Sequence, residues 1–201
     1  MAHANRDVFL NCPFDRRYRS LFDAIVFTVF ACGFRARTML DNEDSGKTRL
    51  ERLIAVIVAC PYSVHDLSRI NLSARGGWPR FNVLLELGLC LGAARFGRRD
   101  MRCLILDAKP LRYRDAASDL AGQDIRSHGH KPGRAIQAVR SFLAAQSTEQ
   151  PPGGGAIAKR HAVFRAQLPR MIQAAAIAPE EREFRDLARC ITGWLKLTSQ
   201  A

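Results

Sequence analysis

No C-x-x-C pair and no zinc-type ligand spacing occur in this 201-residue chain, although it holds six cysteines: Cys12, Cys32, Cys60, Cys90, Cys103 and Cys190. Scattered thiols of this kind exclude a sequence-legible metal centre and suit reduced cysteines rather than a secreted disulfide framework. The longest apolar run, Ala24 to Cys32, is about half the length that a membrane span requires. The first residues, Met1 to Asp7, lack the apolar stretch of a secretion signal. A soluble, cytoplasmic protein with no membrane partner is therefore expected. Internal repeats are missing too, and so is a dense basic block. Lys and Arg number 31 against 19 Asp and Glu, a formal charge of +12, yet the arginines are dispersed and no nucleic-acid motif accompanies them. Specific nucleic-acid binding is not expected. Attraction for an anionic small molecule is equally compatible with that charge.

What is present reads as an α/β chain. With 47% hydrophobic and 25% charged residues, it has enough apolar material for one domain of roughly 150 residues plus an appendage. Asp7 to Phe14 reads as a short buried strand closed by Pro13, and Arg17 to Cys32 as a helix capped by Gly33. A second strand spans Phe34 to Leu40. Thr48-Arg49-Leu50-Glu51 has the capping-box form and opens a helix that runs to Ala59. Tyr62 to Leu67 and Met101 to Asp107 are further strands, residues 110 to 130 are mixed, and Gly133 to Ala145 is helical. Strands alternating with helices at this spacing predict an open parallel sheet flanked by helices. This α/β part is placed at residues 1–145. Gln146-Ser-Thr-Glu-Gln-Pro-Pro-Gly-Gly-Gly155 has linker composition, so 146–157 is assigned as a linker and 158–201 as a helical C-terminal extension. Within the extension, Phe164 to Ile177 and Pro179 to Leu197 read as helices. Phe184, Leu187, Ala188, Ile191, Trp194 and Leu195 form a stripe that needs a partner, either the main domain or another subunit.

The segment from Arg80 to Gly92 reads as a helix that is apolar almost all the way round, the pattern of a buried helix. Asn82 and Glu86 stand four residues apart and so share one face. A buried ionised carboxylate without partners is costly, which points Glu86 into a cleft as the candidate catalytic group. The alternatives for this pair are a buried hydrogen-bonded couple or a salt link from Arg80. In an open parallel sheet the ligand crevice lies beyond the carboxyl ends of the strands. There the chain places Asn11, Cys12, Phe14 and Asp15 at the end of the first strand, Asp41 and Ser45 after the second, and His65 and Asp66 at the end of the third. Each has a plainer role available: Asp15 as a helix N-cap, His65 satisfying a turn, Asp66 capping a loop, Cys12 as a small crevice residue with no base beside it. Gly46-Lys47-Thr48 resembles the end of a phosphate loop, but Asp41 occupies the leading glycine position and the acids nearby repel phosphate. Gly88-x-x-x-Gly92 is read as allowing close helix–sheet approach.

On these residues the chain resembles the TIR-like branch of bacterial domains, which shares a flavodoxin-like core with nucleoside 2-deoxyribosyltransferases. Val8 to Phe14 looks like the first strand of that group and Tyr62 to Leu67 like the third. Asp41 to Gly46 falls at the variable loop, and Asn82-x-x-x-Glu86-x-Gly88 resembles the helix that bears the catalytic glutamate. The likeness covers about residues 6 to 145. It departs at Asn71 to Trp78, where TIR domains carry a serine-rich approach to that helix, and at Asp66, which matches the deoxyribosyltransferase aspartate only loosely. The resemblance implies an enzyme that cleaves an N-glycosidic bond, with NAD as substrate rather than cofactor, in antiviral defence or signalling. Glu86 would stabilise the sugar cation, Asp66 and Asn82 would hold sugar hydroxyls, and Phe14 would stack on a base. Cys12, Asp41, Ser45 and His65 would complete the binding site. Alternatives are a deoxyribosyltransferase-like enzyme or a non-catalytic nucleotide-sensing scaffold. Self-association or a partner protein is expected through the C-terminal helices.

Overall fold

A computed structural model of the chain describes residues 5–41, 44–70, 80–97 and 100–199. Five parallel strands form one sheet: β1 (Asp7–Asn11), β2 (Arg35–Arg37), β3 (Tyr62–Asp66), β4 (Arg102–Asp107) and β5 (Arg126–Ser127). Their order, β2-β1-β3-β4-β5, is the doubly wound flavodoxin-like order. Six α-helices accompany the strands among the described residues: α1 (Arg19–Ala31), α2 (Arg49–Ala59), α3 (Asn82–Phe96), α4 (Pro132–Ala144), α5 (Gly154–Ala174) and α6 (Phe184–Ser199). The expected α/β class, with an open parallel sheet, flanking helices and C-terminal helices, is the observed one.

Strand alternation divides the core. Val8 and Leu10 of β1, with Val64 and Leu106, face α1 and α4, and α5 and α6 lie beyond them. Phe9 points the other way into the layer of α2, and Ile105 into that of α3. The ends of the strands are fixed by polar contacts. Arg35 Nε donates to Asp7 Oδ1 at 2.6 Å and Arg37 Nη1 to Asp7 Oδ2 at 2.9 Å, pinning a β2 only three residues long beside β1. After α1 the amide of Gly33 donates to Phe30 O and that of Phe34 to Val29 O, a Schellman closure for which Gly33 takes φ +79°. The Thr48/Glu51 capping box starts α2 as its sequence pattern requires.

The environment expected for α3 is found at α1 instead. The helix buried all round is α1: every residue from Leu21 to Val29 is buried, because the sheet covers one side and α4, α5 and α6 the other. By contrast, α3 buries Val83, Glu86, Leu87 and Cys90 and leaves Leu85 57% exposed. Gly88 is exposed, and a Cβ on it would meet nothing within 4 Å, so it does not serve a close helix–sheet approach.

The linker-like glycines open a helix. Arg140 donates to Pro151 O and Pro152 O at 3.0 Å each, and α5 begins at Gly154, ten residues before the expected start. The exposed Gln137 side chain of α4 lies over Gly154 and would have to swing aside for a Cβ there. The apolar stripe of α6 is covered by the chain's own helices. Phe184 packs edge-on to Phe22, and Trp194 lies 5.8 Å from the rings of both Phe27 and Phe164. Arg182, just before α6, makes a two-pronged ion pair with Asp23 of α1 at 2.7 and 3.0 Å. Among the described residues no helix is long and apolar enough to cross a membrane.

Candidate functional site

The strand order reverses between β1 and β3, and this is where the polar groups gather. Asn11 ends β1 opposite His65 of β3. Its amide donates at 2.9 Å to His65 Nδ1 and at 2.9 Å to Val83 O, the second residue of α3. Since Val83 O only accepts, both bonds use the NH2 group, so His65 Nδ1 accepts and the ring hydrogen sits on Nε2. Asn11 thereby seats the start of α3 directly over the switch point. His65 is fully buried, and burial pushes its pKa down to about 3. Its place is behind the crevice as a support, not in the crevice as a wall.

A crevice of about 60 Å³ opens there, lined by Cys12 and Phe14 from the end of β1, Arg49 at the start of α2, Arg80, and Asn82 and Glu86 of α3. Four expected residues thus converge. Glu86 is 6% exposed, and among the described residues its carboxylate accepts a side-chain hydrogen bond from Asn82 Nδ2 alone, at 3.5 Å. Burial raises its pKa above 4.5, with the Asn82 amide and the charge of Arg49 pulling the other way. Arg80 makes no salt link to Glu86: its guanidinium lies 3.9 Å from Asp15, which also receives Arg69 at 3.3 Å. Asp15 additionally accepts from the amides of Arg17 and Tyr18 in the turn that precedes α1, whose N-cap position is Tyr18 and not Asp15. Burial, and then the charge of Asp66, pushes the Cys12 thiol well up, so Cys12 is an uncharged wall rather than a nucleophile. Phe14 is 44% exposed and stands edge-on to Phe22 at 5.1 Å.

Asp66 occupies a different place from the sugar-hydroxyl acceptor expected. It is 0% exposed, and its oxygens accept from Tyr18 Oη, Ser68 Oγ and the Ser68 amide, with His128 Nε2 at 3.0 Å. Burial pushes its carboxyl up, but the His128, Ser68 and Tyr18 bonds outweigh it and leave the pKa below the ordinary value. Serine, histidine and aspartate meet here without forming a nucleophilic relay. Ser68 and Asp66 both approach His128 through Nε2, whose other nitrogen accepts the His130 amide at 3.0 Å, and all three side chains are buried. This cluster locks β3, β5 and the entry to α1 together.

No protein-family model matches the chain, and no curated protein matches it.

Ser45 is exposed in the turn before α2 and does not line the crevice. Asp41 closes a single 3-10 turn, Met39–Asp41, and its side chain lies outside the described residues, as does the whole of Asn71 to Trp78. Arg49 and Arg80 in the crevice lining, the support from Asn11 and the contact of His128 with Asp66 were not among the expected site residues. Asn11 had a signal, a polar residue closing an apolar strand before Cys12-Pro13. Arg49 had half of one, since the capping box places it in the first turn of α2 but says nothing about which way that turn faces. Among the described residues no group of three or more His, Cys, Asp or Glu is arranged to hold a metal.

Proposed function

We propose that the protein cleaves the N-glycosidic bond of a nicotinamide dinucleotide or a related nucleotide, with Glu86 as its catalytic carboxylate. The observation that carries this reading is the place of Glu86: an acid buried in a crevice wall at the β1/β3 switch point, beside a half-exposed aromatic ring. Ligands of open α/β sheets bind at such points. Departure of nicotinamide takes the bond's electron pair back to a cationic ring, so no strong general acid is needed. The charge left on C1′ and its ring oxygen is stabilised by an anionic oxygen beneath the sugar, as carboxylates do in glycoside hydrolysis. Glu86 either holds that cation or forms a transient ester with C1′. Water then adds at C1′ and loses its proton. Asn82 orients the carboxylate, and Phe14 offers a face for a base. Arg49 and Arg80 attract the anionic substrate, and the charge of Arg49 opposes the upward pull of burial on the Glu86 pKa.

The resemblance to TIR-like domains supports the same bond class and a role in bacterial defence or signalling. Incubation with NAD and a panel of nucleosides, read by mass, tests the reading. Free nicotinamide with ADP-ribose is the expected outcome. Base exchange between a deoxynucleoside and an added free base would assign the bond to deoxyribosyl transfer instead. If every compound stays intact at high protein concentration, the enzyme reading is overturned.

A further inference from the structure

A crevice of about 60 Å³ holds roughly two water molecules, whereas sites for drug-sized ligands run to about 300–1,000 Å³. Next to it lies a cavity of about 800 Å³, formed by the start of α1, Leu40 after β2, and the connection between α5 and α6. Phe14 lines both spaces. From Phe14 an aromatic ladder continues along the cavity, edge-on to Phe22 at 5.1 Å and from there to Phe184 at 6.1 Å.

The walls are charged in a particular way. Arg182 is committed to Asp23. Arg19 donates instead to two backbone carbonyls of the connection, Pro179 O at 3.0 Å and Arg182 O at 3.4 Å, with no ion pair of its own among the described residues. Its cationic neighbours Arg182 and Arg16 crowd it, and after burial they are what lower its pKa. Arg16 is exposed at the cavity's mouth. The connection itself carries Glu180, Glu181 and Glu183, all exposed, interleaved with Arg182 and Arg185 in the lining of the same cavity. A bare anion or an anionic lipid headgroup is repelled by such carboxylates. A ligand carrying phosphates together with sugar hydroxyls satisfies both signs of charge in the lining, since hydroxyls donate to carboxylates while phosphates accept from guanidinium.

We propose that this cavity is a second subsite that takes the nucleoside diphosphate half of a dinucleotide, and that it delivers the scissile sugar across Phe14 to the Glu86 crevice. The assignment of the other half rests on the glycosidase reading above. Arg16 and Arg19 face the diphosphate, the Phe14–Phe22 edge packs against the base or ribose, and the glutamates receive ribose hydroxyls. The α5–α6 connection is then part of the substrate site, not a remote appendage.

Titration calorimetry of the full chain with adenosine diphosphate tests the subsite apart from the chemistry. Wild type and Glu86→Gln are expected to bind it alike, while Arg16→Glu weakens it at least tenfold. Leu40→Trp, which fills the cavity while leaving every arginine in the sequence unchanged, is expected to weaken it comparably and serves if Arg16→Glu lowers the melting temperature. Equal affinity in wild type and both cavity variants, or no binding to wild type at millimolar concentration, overturns the subsite. Kinetics keep the two claims separate. If NAD is cleaved but KM is unchanged in both cavity variants, the subsite fails and the glycosidase reading stands. If the diphosphate binds and the variants lose it while NAD remains intact, the glycosidase reading fails and the nucleotide site stands.

Discussion

Glu86 and Asp66 are both buried acids near the carboxyl edge of the sheet, and their surroundings push them in opposite directions. Burial raises the Glu86 pKa above 4.5 against only a long bond from Asn82 and the charge of Arg49. Under the proposed chemistry the ionised form is the active one, so activity should be lost as pH falls through that raised value. Asn82→Ala removes a group that favours the anion. The acid limb of kcat/KM is then expected to move to higher pH, and a limb that stays in place would detach Asn82 from Glu86. Asp66 has four internal donors and an ordinary role in holding the fold. Breaking a buried, hydrogen-bonded charge cluster costs about 3–5 kcal/mol. Asp66→Asn should therefore lower the denaturation midpoint markedly, whereas Glu86→Gln should leave it nearly unchanged. Activity lost in both variants would otherwise look alike, and chemical denaturation tells them apart.

At the level of elements, His65 makes the joint between β1, β3 and α3 sensitive to acid. The folded pKa of about 3 lies below the ordinary 6.5, so the unfolded chain takes up a proton that the folded chain refuses. The resulting stability is fully present above pH 6.5 and is lost as pH falls from there toward 3. Equilibrium unfolding measured across that range should show the decline, and His65→Gln should flatten it. How much of this was legible from sequence depended on whether a residue's partners lie nearby in the chain. The strands β1, β3 and β4, the capping box of α2 and the Gly33 cap were readable because their signals are local. The pairing of Asn82 with Glu86 was readable for the same reason, four residues on one helix. β5 was not, because two residues, Arg126 and Ser127, carry no alternation. With β5 hidden, His128 could not be placed against Asp66, 62 positions before it by numbering. The partial exposure of α3 has another origin. Both α1 and α3 are apolar all round, and only the docking of α5 and α6 on one side of the sheet decides which of them is covered.

The whole molecule is organised by that second helical layer. Residues 146–157 have the composition of a flexible linker, yet α5 starts inside them, and the helices beyond share one core with β1 and α1 through Phe27, Phe164 and Trp194. Large-to-small changes of such core aromatics cost about 3–5 kcal/mol. Trp194→Ala is accordingly expected to destabilise the entire chain in one cooperative transition, read by circular dichroism. Two separate transitions would make the C-terminal helices an independent unit. The same layer bounds the large cavity beside the Glu86 crevice, so fold and proposed function meet at one edge of the sheet. The most direct test of the central claim is the amount of nicotinamide released from NAD by wild-type protein beside Glu86→Gln. The account predicts release by wild type and a loss of at least a hundredfold in the variant, with its melting temperature retained. Equal release by the two proteins would contradict it.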